Sequence, residues 1–262
     1  MAILSVAMKA RGTEGEPLPS PFKAFDINRA FFRRGQMSLV AAASGRGKSA
    51  LMTHWVVNAA YPDGSGIPSF YGSFDSDRMT LGSRVAAGIL KKPVSDVEEL
   101  LKDDRSELWQ LVSNRTPHIW WSFKRNPSIG HIEDELEAYA HVYGSFPEMV
   151  VLDNLMNIDS GVGGQGWETH DNILAWGEEL AALTGAHVCF TCHVKGYVGS
   201  GDVPIPMNGM MNNLEKRPRL IFTIYRDVDM TGVMQVDCVK NSTGPAPVHI
   251  ELPWYPERSM FG

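Results

Sequence analysis

Residues 41–49 read AAASGRGKS, and the run from Ala42 to Ser49 nearly matches G-x-x-x-x-G-K-[ST], with alanine at the first glycine. Such a run can hold a nucleotide's phosphates. Backbone N–H groups from Ser44 through Gly45, Arg46 and Gly47 to Lys48 curl around the β-phosphate, and the first turn of the following helix, Ser49 and Ala50, adds positive potential. Lys48 then reaches the β- and γ-phosphates, and the Ser49 hydroxyl binds Mg²⁺. Alanine is small enough for the loop unless its position demands a positive φ. Two carboxylates belong with this chemistry. Asp153 ends the apolar run MVVLD, where an acid holds the water shell of Mg²⁺. Asp75 ends FYGSFD and could orient or deprotonate the attacking water, although Asp77 competes for that role in the same loop. Either aspartate could instead cap the turn that follows it.

A second stretch, HVCFTCHVKG at 187–196, contains Cys189-x-x-Cys192-His193, the spacing of c-type haem attachment. Its apolar, β-branched neighbours predict a strand, in which Cys189 and Cys192 lie about 10 Å apart on opposite faces. They could share neither a disulfide nor a haem, and read as small buried residues. No haem is expected. His193 would emerge at the ligand edge, as a hydrogen-bonding sensor of nucleotide state or as a satisfied strand-end histidine.

The elements that must position these residues alternate along the chain. MSLVAAA (37–43) reads as a strand, the glycine loop follows, and ALMTHWVVNAAY continues at helical spacing. Strands are predicted at 67–75, 118–123, 148–153 and in the histidine stretch. Helices are predicted after Asp77, as two short pieces within 95–113, at 129–143 before Gly144, and at 168–184. RLIFTIYRD, GVMQVDCVK and VHIEL read as hairpin strands. The fold class is therefore α/β, a mostly parallel central sheet flanked by helices with a C-terminal antiparallel hairpin extension. Ligands of such sheets bind at the carboxyl ends of the strands.

With 262 residues, 44% of them hydrophobic, and no compositional break, the chain is expected to form one domain over 22–262, preceded by an irregular arm over 1–21. Three cysteines make no disulfide framework, and the N-terminus lacks a signal-peptide pattern, so a cytoplasmic location is expected, with no membrane span. A net charge of −6 confines any nucleic-acid contact to local loops or to an assembled ring.

These residues, in this order, resemble the RecA-like P-loop NTPase core of DnaB-type and phage ring helicases. The resemblance rests on RGQMSLVAAASGRGKSALMTHWVVNAA, FYGSFDSDRMTLGSRVAAGIL, MVVLDNLMNI, HVCFTCHVKG, IYRD and VKNSTGPAPVHIEL, and spans residues 22–255. It implies ATP and Mg²⁺ as ligands, single-stranded or forked DNA as partner, and a homo-oligomer, a hexameric ring or filament, acting in the cytoplasm, in a phage's case that of the host. Asp75 stands where the family's catalytic carboxylate is usually glutamate, and His193 where phage members carry a γ-phosphate sensor. Loops at 155–167 and 194–213 would face nucleic acid, with Lys195 for phosphate and Tyr197 for stacking. The family's arginine finger follows a lysine by two residues; Lys240 matches the lysine, but Ser242 holds the arginine's place. Arg226, another basic residue, or Lys240 alone would have to serve. Three activities remain open: an ATP-driven DnaB-like replicative helicase, a non-motor recombination or strand-annealing ATPase, and a metal-dependent nuclease at DNA forks.

Overall fold

Strand β1 (Met37–Ala42) is buried along its whole length. Its side chains alternate between two cores: Val40 and Ala42 join Trp55 and Phe222 on one side, while Leu39 and Ala41 join Phe190 and Ile221 on the other. A strand with apolar residues on both faces needs helices on both faces, and the sequence supplies them. A computed structural model describes residues 15–262 apart from 104, 162–165, 196–200 and 228–229. The other strands are β2 (Ser69–Ser73), β3 (Ile119–Ser122), β4 (Met149–Asp153), β5 (His187–His193), β6 (Leu220–Tyr225), β7 (Val233–Asn241), β8 (Val248–Tyr255) and β9 (Met260–Phe261). They form one nine-stranded sheet in the order β3-β2-β4-β5-β1-β6-β7-β8-β9 among the described residues. β3 through β6 run parallel, and β7, β8 and β9 extend the sheet antiparallel.

The helices are α1 (Lys23–Ile27), α2 (Lys48–Asn58), α3 (Arg78–Leu90), α4 (Val94–Asp103), α5 (Arg105–Arg115), α6 (Ile129–Tyr143) and α7 (Gly166–Thr184). α1 and α2 cover one face, α6 and α7 the other, while α3, α4 and α5 pack together in a third cluster that reaches Trp121 of β3. Local signals set the boundaries. Ser128 accepts a hydrogen bond from the His131 N–H at the start of α6, Ile132, Leu136 and Tyr139 face inward, and Gly144 ends the helix with φ 77°.

Two stretches expected to be irregular are better ordered than their composition implies. From Gly15 the arm is docked: the Leu18 N–H bonds the Phe32 carbonyl at 2.8 Å, and the Leu18 side chain is only 2% exposed. The glycine- and proline-rich stretch after β5 forms short 3₁₀ turns at Met207–Gly209 and Met211–Lys216, held by the buried side chains of Ile205, Met210 and Leu214. A few anchors suffice where periodicity is absent. β9 has no expectation in the sequence.

Candidate active site

Parallel pairing places the carboxyl ends of β1, β2, β4 and β5 side by side, with Ala42 opposite His193 and Ser73 opposite Asp153. Between β1 and α2 the chain turns through Gly45 at φ 71° and Gly47 at φ 101°, both in the left-handed region. A Cβ on Gly47 would stand 2.3 Å from the Met234 methyl, the far end of a flexible side chain that can swing aside, so it is the positive φ that calls for glycine there. Ala42, in place of the motif's first glycine, is the last residue of β1 and needs no positive φ. Lys48 opens α2 and is only 7% exposed. Its ammonium donates to the carbonyls of Ala42 at 3.1 Å and Ala43 at 3.2 Å, and lies 3.3 Å from His193 Nδ1. Burial lowers the Lys48 pKa, while Asp153 and Asp75 pull it back up.

Asp153 is 4% exposed, and both of its oxygens are held: Oδ2 accepts from the Tyr71 hydroxyl at 3.0 Å, Oδ1 from the Thr191 hydroxyl. The sequence pointed to neither partner. Tyr71 looks like one more apolar strand residue, and Thr191 like a β-branched one. The two loop aspartates separate cleanly. Asp77 caps α3, with Oδ1 accepting from the N–H groups of Met79 and Thr80 at 2.8 and 2.9 Å, and these bonds lower its pKa. Asp75 is exposed and lines the cleft over the glycine loop together with Lys48, Ser49, Asp153, His193 and Arg226. The cleft encloses about 500 Å³ and extends to Trp254 and Pro256.

His193 bridges two parts of the cleft. The Lys48 ammonium, 3.3 Å from Nδ1, and the Asn154 amide nitrogen, 3.4 Å from Nε2, are both donors, so the neutral ring accepts a hydrogen bond from only one of them at a time. Burial first, then the Lys48 charge, lowers the His193 pKa, which keeps the ring neutral at pH 7. Asn154, also absent from the sequence reading, is fixed by its Oδ1, which accepts the Met156 N–H at 2.7 Å. Cys189 and Cys192 are buried in separate cores, one on each face of the sheet, and burial pushes both thiols up to about 12.

The other expected site residues divide between the cleft and its surroundings. Arg226 reaches its own chain's loop, donating to the Gly45 carbonyl at 2.9 Å. Lys240 does not enter the cleft; its ammonium caps the carbonyls of Glu215 and Lys216 at 2.8 and 3.0 Å, beside the end of a 3₁₀ turn. The Lys195 ammonium donates to the Asn208 carbonyl at 2.9 Å, and Tyr197 lies outside the described residues. The expected loop at 155–167 is anchored where it is described, with Ser128 and Asp159 paired as a bridge. Gly201 packs so tightly on the glycine loop that a Cβ would stand 2.7 Å from Arg46 Cγ.

A glycine loop between a central parallel strand and a helix, with its lysine at the mouth and an aspartate ending the strand two places across the sheet, defines a P-loop ATPase. The AAA domain family matches residues 21–196, and the chain belongs to that family. It is 32% identical over 238 residues to the Gene 65 protein of Mycobacterium phage L5, covering 89% of this chain and 87% of that protein. The Gene 65 protein of Mycobacterium phage D29 is 31% identical over 221 residues, covering 79% and 89% respectively. Among solved structures, an isolated ATPase domain superposes with a TM-score of 0.79 at 17% identity, over 99% of this chain and 96% of that one. A DnaB-like replicative helicase, solved to show its interactions with primase, gives 0.78 at 16% identity over 97% and 63%. The fold is therefore the RecA-like ATPase core of DnaB-like helicases. Among the described residues no helix is long and apolar enough to cross a membrane.

Proposed function

We propose that the chain is a DnaB-like replicative motor that couples Mg-ATP hydrolysis to movement along single-stranded or forked DNA. The observation that carries this reading is the convergence of Lys48, Ser49, Asp75, Asp153 and His193 on one cleft. N–H groups of residues 44–48 and the N-terminus of α2 hold the β-phosphate. The Lys48 ammonium exchanges the Ala42 and Ala43 carbonyls for phosphate oxygens. Asp75 accepts a proton from the attacking water as the oxygen bonds to the γ-phosphorus and the bond to ADP breaks. The hydroxyl of Ser49 and the carboxylate of Asp153 are hard oxygen donors that suit Mg²⁺, which when bound neutralises charge on the β- and γ-phosphates. His193 touches Lys48 on one side and Asn154 on the other, so a change at the phosphates reaches the turn that opens the 155–161 segment.

Assembly into a ring or filament supplies the DNA-facing surface, with Lys195 and Tyr197, which follow β5 in the sequence, as its contacts. The phage origin of both relatives supports an activity in the cytoplasm of an infected host. A non-motor recombination or annealing ATPase is the second reading. It is favoured by the Arg226 contact to its own chain and by the Lys240 cap, which leave the inter-subunit cation unassigned. A nuclease has less support, because Asp77 is used as a cap and, among the described residues, no group of three or more His, Cys, Asp or Glu could hold a metal ion.

ATP hydrolysis with and without single-stranded DNA, measured beside the mass in solution, tests the proposal. Strong stimulation in a hexamer, with unwinding of a fork, is expected. DNA-independent turnover without unwinding would favour the second reading, and absence of nucleotide binding would reject both.

A further inference from the structure

Two hydroxyls form a chain that ends on one oxygen of Asp153, and a third donates to the other oxygen. Thr53 Oγ1, in α2, donates to the Tyr71 hydroxyl at 3.3 Å, Tyr71 donates to Asp153 Oδ2 at 3.0 Å, and Thr191 donates to Oδ1. The Tyr71 hydroxyl also lies 3.5 Å from the Ser49 carbonyl, but it carries one proton, and an ionised carboxylate at the shorter distance is the stronger acceptor. All of these side chains except that of Ser49 are buried. In such a setting each donated bond polarises the next.

The geometry ties the start of α2 to the carboxyl end of β4 by hydrogen bonds as well as by packing. Ser49 and Thr53 lie in the first turns of α2, Asp153 ends β4, and the Tyr71 ring projects from β2 between them, packed on Trp121 at 5.2 Å between ring centroids. With one lone pair on each oxygen engaged by a protein hydroxyl, the carboxylate cannot rotate freely. Its remaining lone pairs keep a fixed direction.

We propose that Tyr71, seconded by Thr191, is a positioning residue for the divalent cation. It sets the orientation of Asp153 relative to the Ser49 end of α2, and so determines how strongly Mg²⁺ supports nucleotide binding. This rests on Ser49 and Asp153 as the groups that hold the cation. Tyr71 touches neither nucleotide nor cation; its effect passes through Asp153.

The test is a Mg²⁺ titration of fluorescent methylanthraniloyl-ATP binding, run alongside the same binding in EDTA. Tyr71→Phe keeps the ring and its packing while removing the hydroxyl. The expected result is a Mg²⁺ half-saturation raised about 10-fold, the scale of lost outer-shell bonds, with EDTA binding unchanged. Thr191→Val, which removes the other donor, should shift the same titration in the same direction and stands in if the first variant folds poorly. In an Asp153→Asn background Tyr71→Phe should add nothing. An unchanged Mg²⁺ titration in both variants would overturn the proposal, as would equal weakening with and without metal, which would mean that the hydroxyl shapes the loop instead. Were the unmodified protein's nucleotide binding insensitive to Mg²⁺, the assignment of Ser49 and Asp153 would fail first, and this inference with it.

Discussion

Lys48 shows how much a single residue type settles. A lysine whose ammonium is buried and satisfied only by two loop carbonyls and a histidine is poised for a stronger acceptor. Lys48→Ala should lower ATP turnover by at least about 100-fold, in line with losing a preorganised charge at the transition state, with little change in melting temperature. Wild-type turnover in this variant would reject the site. The paired aspartates allow a sharper contrast. Asp75→Asn should cut turnover by roughly 100-fold while nucleotide still binds. Asp77→Ala should leave turnover intact and lower the melting temperature by a few degrees through loss of the cap of α3. The reverse pattern in hydrolysis and calorimetry would exchange their roles. The sequence showed both acids in one loop but could not separate them, because the choice depends on which N–H groups the turn presents.

At the scale of elements, the glycine loop works because its neighbours close around it. The Met234 methyl of β7 sits where a Cβ on Gly47 would go, so the antiparallel extension packs against the phosphate loop. Gly47→Ala combines a positive φ with that overlap. Nucleotide affinity should fall at least about 10-fold, with a stability loss on the order of 1–2 kcal/mol, read by the same fluorescent titration and by urea unfolding. Unaltered affinity would mean that the loop can shift away from β7. The boundaries of β1, α2, β4, α6 and β5 were legible because caps, glycine stops and apolar runs act locally. The turns at 207–216 were not, since scattered anchors such as Ile205 and Leu214 leave no period in the chain.

Across the whole molecule, burial governs the response to acid. His187 is 1% exposed, its Nε2 2.8 Å from Ser38 Oγ, and burial pushes it down to about 4 from an ordinary 6.5. Between those values the unfolded chain binds a proton that the folded chain does not, so stability is full above about pH 6.5 and is lost as pH falls towards 4, by on the order of 3 kcal/mol. Urea midpoints should therefore drop from pH 7 to pH 5; equal midpoints would show that His187 is already charged in the fold. The proposed assembly belongs to the same scale. If the finger is missing because Ser242 stands in its place, Ser242→Arg should raise DNA-stimulated turnover several-fold in the oligomer. No change would direct the search to another cation of the neighbouring subunit.

The sequence by itself determined the phosphate loop, the parallel α/β order and the strands that end in Asp153 and His193, because these follow from local spacing and from apolar runs; β2 stops at Ser73, and Asp75 lies in the loop beyond it. Only the tertiary structure decided that Arg226 bonds its own loop, that Lys240 stays outside the cleft and that Tyr71 and Thr191 hold Asp153. Each of these is a contact between residues far apart in the chain or a competition for one hydrogen bond. Such outcomes depend on which strands lie side by side, and residue type alone does not carry that information.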